Sequence, residues 1–99
     1  MSKTISAPIQ TAKANVGTSA VVFTATDIRA KAFNFVAPKG NAADIFVGGA
    51  ALTTASYMFR LQPGEEVEIE ALPGERLNLA NFYVIGENTT DDVAAGYIR

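Results

Sequence analysis

The 99-residue sequence contains no cysteine, no histidine and no tryptophan, and each absence narrows what the protein can do. Without cysteine there can be no disulfide and no thiolate metal site. Without histidine the chain lacks the side chain that most often acts as general base, as metal ligand and as partner of a nucleophilic serine. The composition therefore predicts a protein that is not an enzyme and that holds no metal or other cofactor.

Long apolar runs and basic clusters are also missing. No run approaches the roughly 18 apolar residues of a membrane span, and Met1-Ser2-Lys3-Thr4-Ile5 leads into no stretch typical of a signal peptide. The formal net charge is −2 and the basic residues are scattered, which is unlike a nucleic-acid-binding domain. We expect a protein made in the cytoplasm, with neither membrane nor nucleic acid as a partner.

The charge is unevenly divided along the chain. Residues 1–50 carry five basic and two acidic side chains, whereas residues 51–99 carry three basic and eight acidic ones. Two interpretations stay open: solvated faces of a single domain, or complementary patches on neighbouring subunits.

The clearest local structure lies between Leu61 and Leu79. Pro63-Gly64-Glu65 and Pro73-Gly74-Glu75 each place Pro and Gly as the two central residues of a type II turn. Between them apolar residues alternate with Glu66, Glu68 and Glu70, which predicts a strand with one charged face. Paired glutamates could serve a hydrolase, but three equivalent side chains lack the unlike environments that catalytic carboxylates need. We predict that they are exposed and individually dispensable.

The rest of the chain repeats short strand signals at intervals typical of an all-β domain. No stretch keeps the apolar spacing of a helix over ten or more residues. We predict a single-domain antiparallel β-sandwich, jelly-roll-like, with about eight short strands in residues 18–99. Residues 1–17, with Ile5 and Ile9 as apolar anchors, are expected to form an N-terminal arm or edge segment. The predicted strands are 18–26, 32–37, 44–47, 57–61, 66–71, 82–85 and 93–98, and 77–80 is a further strand or a turn.

Several apolar residues are candidates for contact with a partner. Residues 82–85 are apolar on both strand faces, so they form either a buried central strand or one that a partner covers. Phe46 lies opposite Ile45 and Val47 on its strand and is predicted to point outward, or else into the core of a second sheet. The interface candidates are Ile5, Ile9, Phe46, Phe82 and Tyr83.

Three stretches together resemble small β-rich structural proteins from the particles of tailed bacteriophages. They are Asp-Ile-Phe-Val-Gly-Gly at 44–49, Phe-Arg-Leu-Gln-Pro-Gly-Glu-Glu-Val-Glu-Ile at 59–69, and Leu-Ala-Asn-Phe-Tyr-Val-Ile-Gly-Glu at 79–87. The resemblance spans about residues 30–99. Its matching positions Gly48, Pro63, Gly64 and Gly86 are turn and strand-end residues, so they carry over as architecture and not as a catalytic site.

The resemblance implies a non-enzymatic structural protein, such as a capsid decoration (cement) protein that binds and stabilises the major capsid shell. Its expected partners are the major capsid protein or other virion proteins and further copies of itself, as a dimer or trimer. Its expected location is the virion, after synthesis in the host cytoplasm. The alternatives are a tail or head-fibre component, or a carbohydrate- or receptor-binding module that uses Tyr57, Tyr83 and Tyr97 as stacking platforms.

Overall fold

The computed structural model describes residues 10–97, which fold as two antiparallel sheets of four strands each and a short third pair. The first sheet has the order β1-β10-β4-β7, the second β2-β9-β5-β6, and β3 pairs with β8. The strands are β1 Gln10–Asn15, β2 Val21–Val22, β3 Arg29–Ala30, β4 Ala32–Val36, β5 Ile45–Gly48, β6 Phe59–Leu61, β7 Glu66–Glu70, β8 Leu77–Asn78, β9 Tyr83–Gly86 and β10 Asp92–Tyr97.

This architecture confirms the predicted all-β class and its antiparallel pairing. Within residues 10–97 there is no α-helix, and a single 3-10 turn spans Leu79–Asn81. Ten strands replace the expected eight because β1 and the two-residue strand β3 lie outside the predicted strands. The jelly-roll assignment stays a prediction.

The core lies between the two sheets and is centred on aromatic rings. Phe33 and Phe35, which alternate with outward Asn34 on β4, are both fully buried. The Phe35 ring lies 5.2 Å from that of Phe82 in an adjoining segment of the other layer. Aromatic pairs at such separations stabilise a core beyond simple burial, so these contacts fix how the layers meet. The rings of Phe23 and Phe59 also contact Phe35, and the ring of Tyr97 contacts Phe33.

The two Pro-Gly-Glu turns have the predicted geometry. Gly64 and Gly74 have φ values of 89° and 82°, which glycine adopts without steric cost. The amide of Glu65 donates to the carbonyl of Gln62 at 2.9 Å, and the amide of Glu75 donates to that of Leu72 at 2.9 Å. Strand β7 runs between these turns with its glutamates exposed, as predicted.

The first sheet begins N-terminal to residue 18, where the sandwich was expected to start. Strand β1 is an edge strand that pairs with β10 from Gln10 opposite Tyr97 to Asn15 opposite Asp92. Val16, just beyond it, is fully buried in the main core. The sandwich therefore includes part of the expected N-terminal segment, because β1 completes one edge of the sheet. Ile5 and Ile9 lie outside the described residues.

Two of the predicted strands are shorter in the structure. The strand predicted over 18–26 is reduced to β2, and beyond Val22 only Phe23 is buried, because the chain leaves the sheet after two residues. The strand predicted over 57–61 begins at Phe59, so Tyr57 belongs to the preceding connection.

The strands run between two ends of the sandwich, which we call the Asn41 end and the Leu72 end. At the Asn41 end lie the connections 16–20, 37–44, 62–65 and 87–91. At the Leu72 end lie the connections 23–28, 49–58 and 71–76. In the first sheet, β7 ends at the Leu72 end beside the start of β4, where the amide of Ala71 donates to the carbonyl of Lys31 at 2.7 Å. In the second sheet, β5 ends there at Gly48, which pairs with Tyr83, the first residue of β9.

Candidate functional site

The second sheet is apolar on both of its faces, and this feature defines the candidate site. Along β5, Ile45 and Val47 belong to the main core, whereas Phe46 projects from the opposite, outer face. Phe46 pairs across the sheet with Ile85 of β9, and the two are only 5% and 8% exposed. A second, smaller apolar cluster therefore lies outside the sandwich core.

The connection between β5 and β6, residues 49–58, covers this outer cluster, and we call it the strap. Leu52 is its buried anchor and packs with Phe46 and Ile85. The Tyr57 ring lies 5.0 Å from the Phe46 ring at 56°. The chain thus buries Phe46 with its own residues. Phe46 thus lies on the outer face of β5 but is buried in a second cluster and is not open to solvent.

Gly48 permits the strap to lie against the sheet. A Cβ atom on this glycine would stand 3.2 Å from Leu52 Cδ1 and 3.4 Å from the Met58 amide nitrogen. The first distance is tighter than ordinary packing, so a side chain there would push the strap outward. The neighbouring Gly49 has nothing within 4 Å of such an atom. A side chain at Gly48 would therefore crowd the strap, whereas one at Gly49 would not.

Hydrogen bonds between residues that are close along the chain give the strap a defined shape. The Leu52 amide donates to the Gly49 carbonyl at 3.1 Å, and Thr53 and Ser56 exchange backbone bonds of 2.9 and 3.2 Å. The Thr53 hydroxyl oxygen also accepts from the amides of Ala55 and Ser56. These bonds satisfy polar backbone groups locally, so the strap needs few contacts with the sheet besides Leu52 and Tyr57.

The strap presents an uncharged, partly apolar surface. Tyr57 is 44% exposed and Met58 59% exposed. Together with Gly48, Gly49, Ala50, Ala51, Leu52 and Ser56 they line a shallow open depression of about 360 Å³. Tyr57, Met58 and this depression are called the strap surface below. No residue from 49 to 58 carries a charge. The nearest charged residues along the chain are Asp44 and Arg60, which form a 3.3 Å ion pair, and Arg60 pairs across the sheet with Phe46.

Buried polar groups elsewhere serve the fold. Asp91 is almost fully buried, and its two carboxylate oxygens accept hydrogen bonds from the amides of Ala42 and Ala43 at 2.8 and 3.1 Å. Asn78 is buried too; its carbonyl oxygen accepts from the amides of Ile28 and Ala80, and its amide donates to Asp27. Both side chains fasten one connection to another, which accounts for their burial.

The structure distributes the predicted contact residues between different places. Phe82 lies in the main core, and Tyr83 is half-buried on the outer face of the second sheet beside Phe46. Residues 82–85 are apolar on both faces because β9 is a central strand with the main core on one side and the strap cluster on the other. The interface role of these side chains stays a prediction. Of the three tyrosines considered as stacking platforms, Tyr97 is buried in the core.

Sequence reasoning missed Leu52, Tyr57 and Met58 as parts of one surface. The stretch 50–56 is small and polar in character, and nothing in its pattern shows that Leu52 returns to the sheet. The paired glycines at 48–49 were the available signal, since adjacent glycines at a strand end allow close approach of another segment.

Within residues 10–97 no group of three or more acidic side chains is placed to hold a metal ion. That same part of the chain has no helix of the length and apolarity needed to cross a bilayer. A scan against protein-family models matched no family, and searches of curated proteins and of solved structures found no match.

Proposed function

We propose that the protein is a non-enzymatic structural component of a bacteriophage particle, a capsid decoration protein that binds the major capsid shell and stabilises it as a homo-oligomer. The observation that carries this proposal is the strap surface. It offers apolar side chains, a defined backbone and no charge, and these suit contact with another protein better than they suit chemistry on a small molecule.

The assignment to a phage particle rests on the sequence resemblance. Its three matching stretches form strands β5, β6, β7 and β9 and the turns between them. Two of these strands, β5 and β9, hold Phe46, Tyr83 and Ile85 beneath the strap. The matching stretches thus build the sheet beneath the strap, while residues 50–58 of the strap itself lie between them. If several linked copies bind neighbouring subunits of the shell, multivalency makes the overall attachment much stronger than each single contact.

Mass spectrometry of purified particles of the phage that encodes the chain tests the proposal. We expect the protein at a copy number comparable to that of the major shell protein. In a second step, particles that lack the protein are incubated with the purified chain and sedimented, and co-sedimentation is expected. Absence from the particles, or failure of the folded wild type to co-sediment, would overturn the proposal.

A variant pair tests whether the strap surface takes part. Met58→Glu places a charge on this surface and is expected to lower co-sedimentation by at least about tenfold, because burying an unpaired charge is costly. Thr90→Glu adds the same charge to an exposed residue of the Asn41 end and is the matched control. Equal retention of both variants would exclude the strap surface from assembly.

The alternative is a carbohydrate- or receptor-binding module, and one observation favours it: the Tyr57 ring is partly exposed beside the depression. A glycan array separates the two proposals. Binding of a glycan that Tyr57→Ala abolishes would support the module, whereas an array without hits would leave the structural role.

A further inference from the structure

Exposed apolar side chains concentrate at one end of the sandwich. In the described part of the chain, four large apolar residues stand out as exposed, and three of them, Tyr57, Met58 and Leu72, lie in connections of the Leu72 end. Leu72 is the most exposed, at 70%. Single exposed apolar residues are common on proteins, so the position and the surroundings of Leu72 have to carry the argument.

The backbone at Leu72 is fixed by hydrogen bonds although its side chain is exposed to solvent. It is the first residue of the second Pro-Gly-Glu turn, fixed by the 2.9 Å bond from the Glu75 amide and by the bond of the adjacent Ala71 to Lys31. The first turn has the same geometry with Gln62 at the corresponding position, also exposed. The turn therefore has no need of a leucine. A turn whose backbone is already fixed loses little backbone freedom when its leucine binds, which favours recognition.

The Leu72 turn and the depression of the strap surface lie at the same end of the molecule. The strap precedes β6 and the Leu72 turn follows β7, and these edge strands of the two sheets are joined directly by the turn at Pro63-Gly64. The chain leaves the Leu72 end along β6 and returns to it along β7. The exposed leucine and the partly apolar depression are therefore both available at the Leu72 end.

We infer that Leu72 inserts into the strap-surface depression of a second copy of this chain, and that the second copy inserts its own Leu72 in return. This inference names the partner of the strap surface. Its role within a phage particle rests on the proposed function, whereas the contact itself can be measured on the isolated chain. Because each copy presents the same two features, a two-fold axis closes the contact into a dimer.

The size and the charge of this end both fit a second copy. A cavity of roughly 150 Å³ admits benzene, so a depression of about 360 Å³ has room for a leucine side chain. The segments 23–31 and 70–76 carry three acidic residues (Asp27, Glu70, Glu75) and three basic residues (Arg29, Lys31, Arg76). Two copies can therefore approach through this end of an otherwise acidic chain without net repulsion, and opposite charges are available across the contact.

Sedimentation velocity over a concentration series tests the inference. The wild type is expected to change from monomer to dimer as concentration rises. Leu72→Gln, which makes the second turn like the first, and Gly49→Leu, which fills the depression at a position with open space, are each expected to raise the dimer dissociation constant at least about tenfold. Gly40→Leu, at an equally open glycine of the Asn41 end, is the matched control and is expected to leave it unchanged.

Mixing the two disruptive variants gives the decisive measurement. Leu72→Gln keeps an intact depression and Gly49→Leu keeps an intact Leu72, so their mixture restores one of the two contacts. We expect the mixture to associate more strongly than either variant alone, with unchanged circular dichroism confirming that both are folded. A monomeric wild type, a Leu72→Gln variant that still dimerises, or a mixture that gains nothing would each overturn the inference. None of these measurements involves phage particles, so their failure is distinguishable from that of the proposed function.

Discussion

The outer faces of the two sheets differ in composition although both sheets have four strands. Across the first sheet, one row of outward residues reads Gly96, Asn34, Glu68. Across the second, the corresponding row reads Ile85, Phe46, Arg60. The first row is small, polar or charged, whereas the second is mostly apolar and is covered by the strap.

The comparison shows that burial on the second sheet has two sources. Its inner face is buried by the other sheet, and its outer face by ten residues of its own connection. The first sheet has a long, regular strand pattern and needs no such cover. The second sheet therefore lies between two covering layers, the first sheet and the strap. We expect substitutions on its outer face to change the free energy of unfolding more than substitutions on the outer face of the first sheet.

The largest difference is expected between Phe46→Ala and Asn34→Ala, which truncate matched outward positions on the two sheets. Phe46→Ala removes the ring that Leu52 and Tyr57 cover, and we expect it to lower the free energy of unfolding by about 3 kcal/mol. Asn34→Ala is expected to cost less than about 1 kcal/mol, because its side chain is only half-buried. Urea denaturation measures both, and similar losses would mean that the strap contributes no real burial.

A smaller difference is expected between two outward glycines. Gly48→Ala crowds Leu52 and the Met58 amide, and we expect a net loss of about 1 kcal/mol after the gain from restricting the unfolded chain. Gly96→Ala meets nothing within 4 Å and is expected to be neutral or slightly stabilising. Thermal unfolding of the two variants side by side is the measurement. If Gly48→Ala leaves the stability unchanged, the strap can shift away from the added methyl group without loss of stability.

The smallest effect is expected on the outer face of the first sheet. Glu68→Ala removes an exposed carboxylate from the edge strand β7, and we expect the free energy of unfolding to change by no more than about 0.5 kcal/mol. Urea denaturation at moderate salt checks this value. A loss above about 1 kcal/mol would mean that the exposed glutamates of β7 have a structural role.

The predictable parts of the fold were those with strictly local causes. Strand β7 follows from the alternation of Glu66, Glu68 and Glu70 with apolar residues, and its bounding turns follow from the Pro-Gly pairs. Strand β4 follows from Phe33 and Phe35 around Asn34. In each, neighbouring residues alone decide the backbone, through a period of two or through a φ value that glycine accepts.

The candidate site was only partly predictable. Phe46 was singled out because it lies opposite two core residues, and it does project from the outer face of the second sheet. The residues that cover it come from a stretch with no periodic pattern. The strand predicted over 18–26 was too long for a related reason: periodicity cannot show that β2 ends after two residues.

The amino-acid pattern alone established an all-β chain, its acidic edge strand and its two rigid turns, because these depend on residues that are adjacent along the chain. Tertiary packing alone established that residues 10–16 complete the first sheet and that Leu52 closes over Phe46. It also placed Leu72 and the depression at the same end of the sandwich. Such contacts join distant segments, and their free energy comes from apolar area that is removed from water only when the sheets have met.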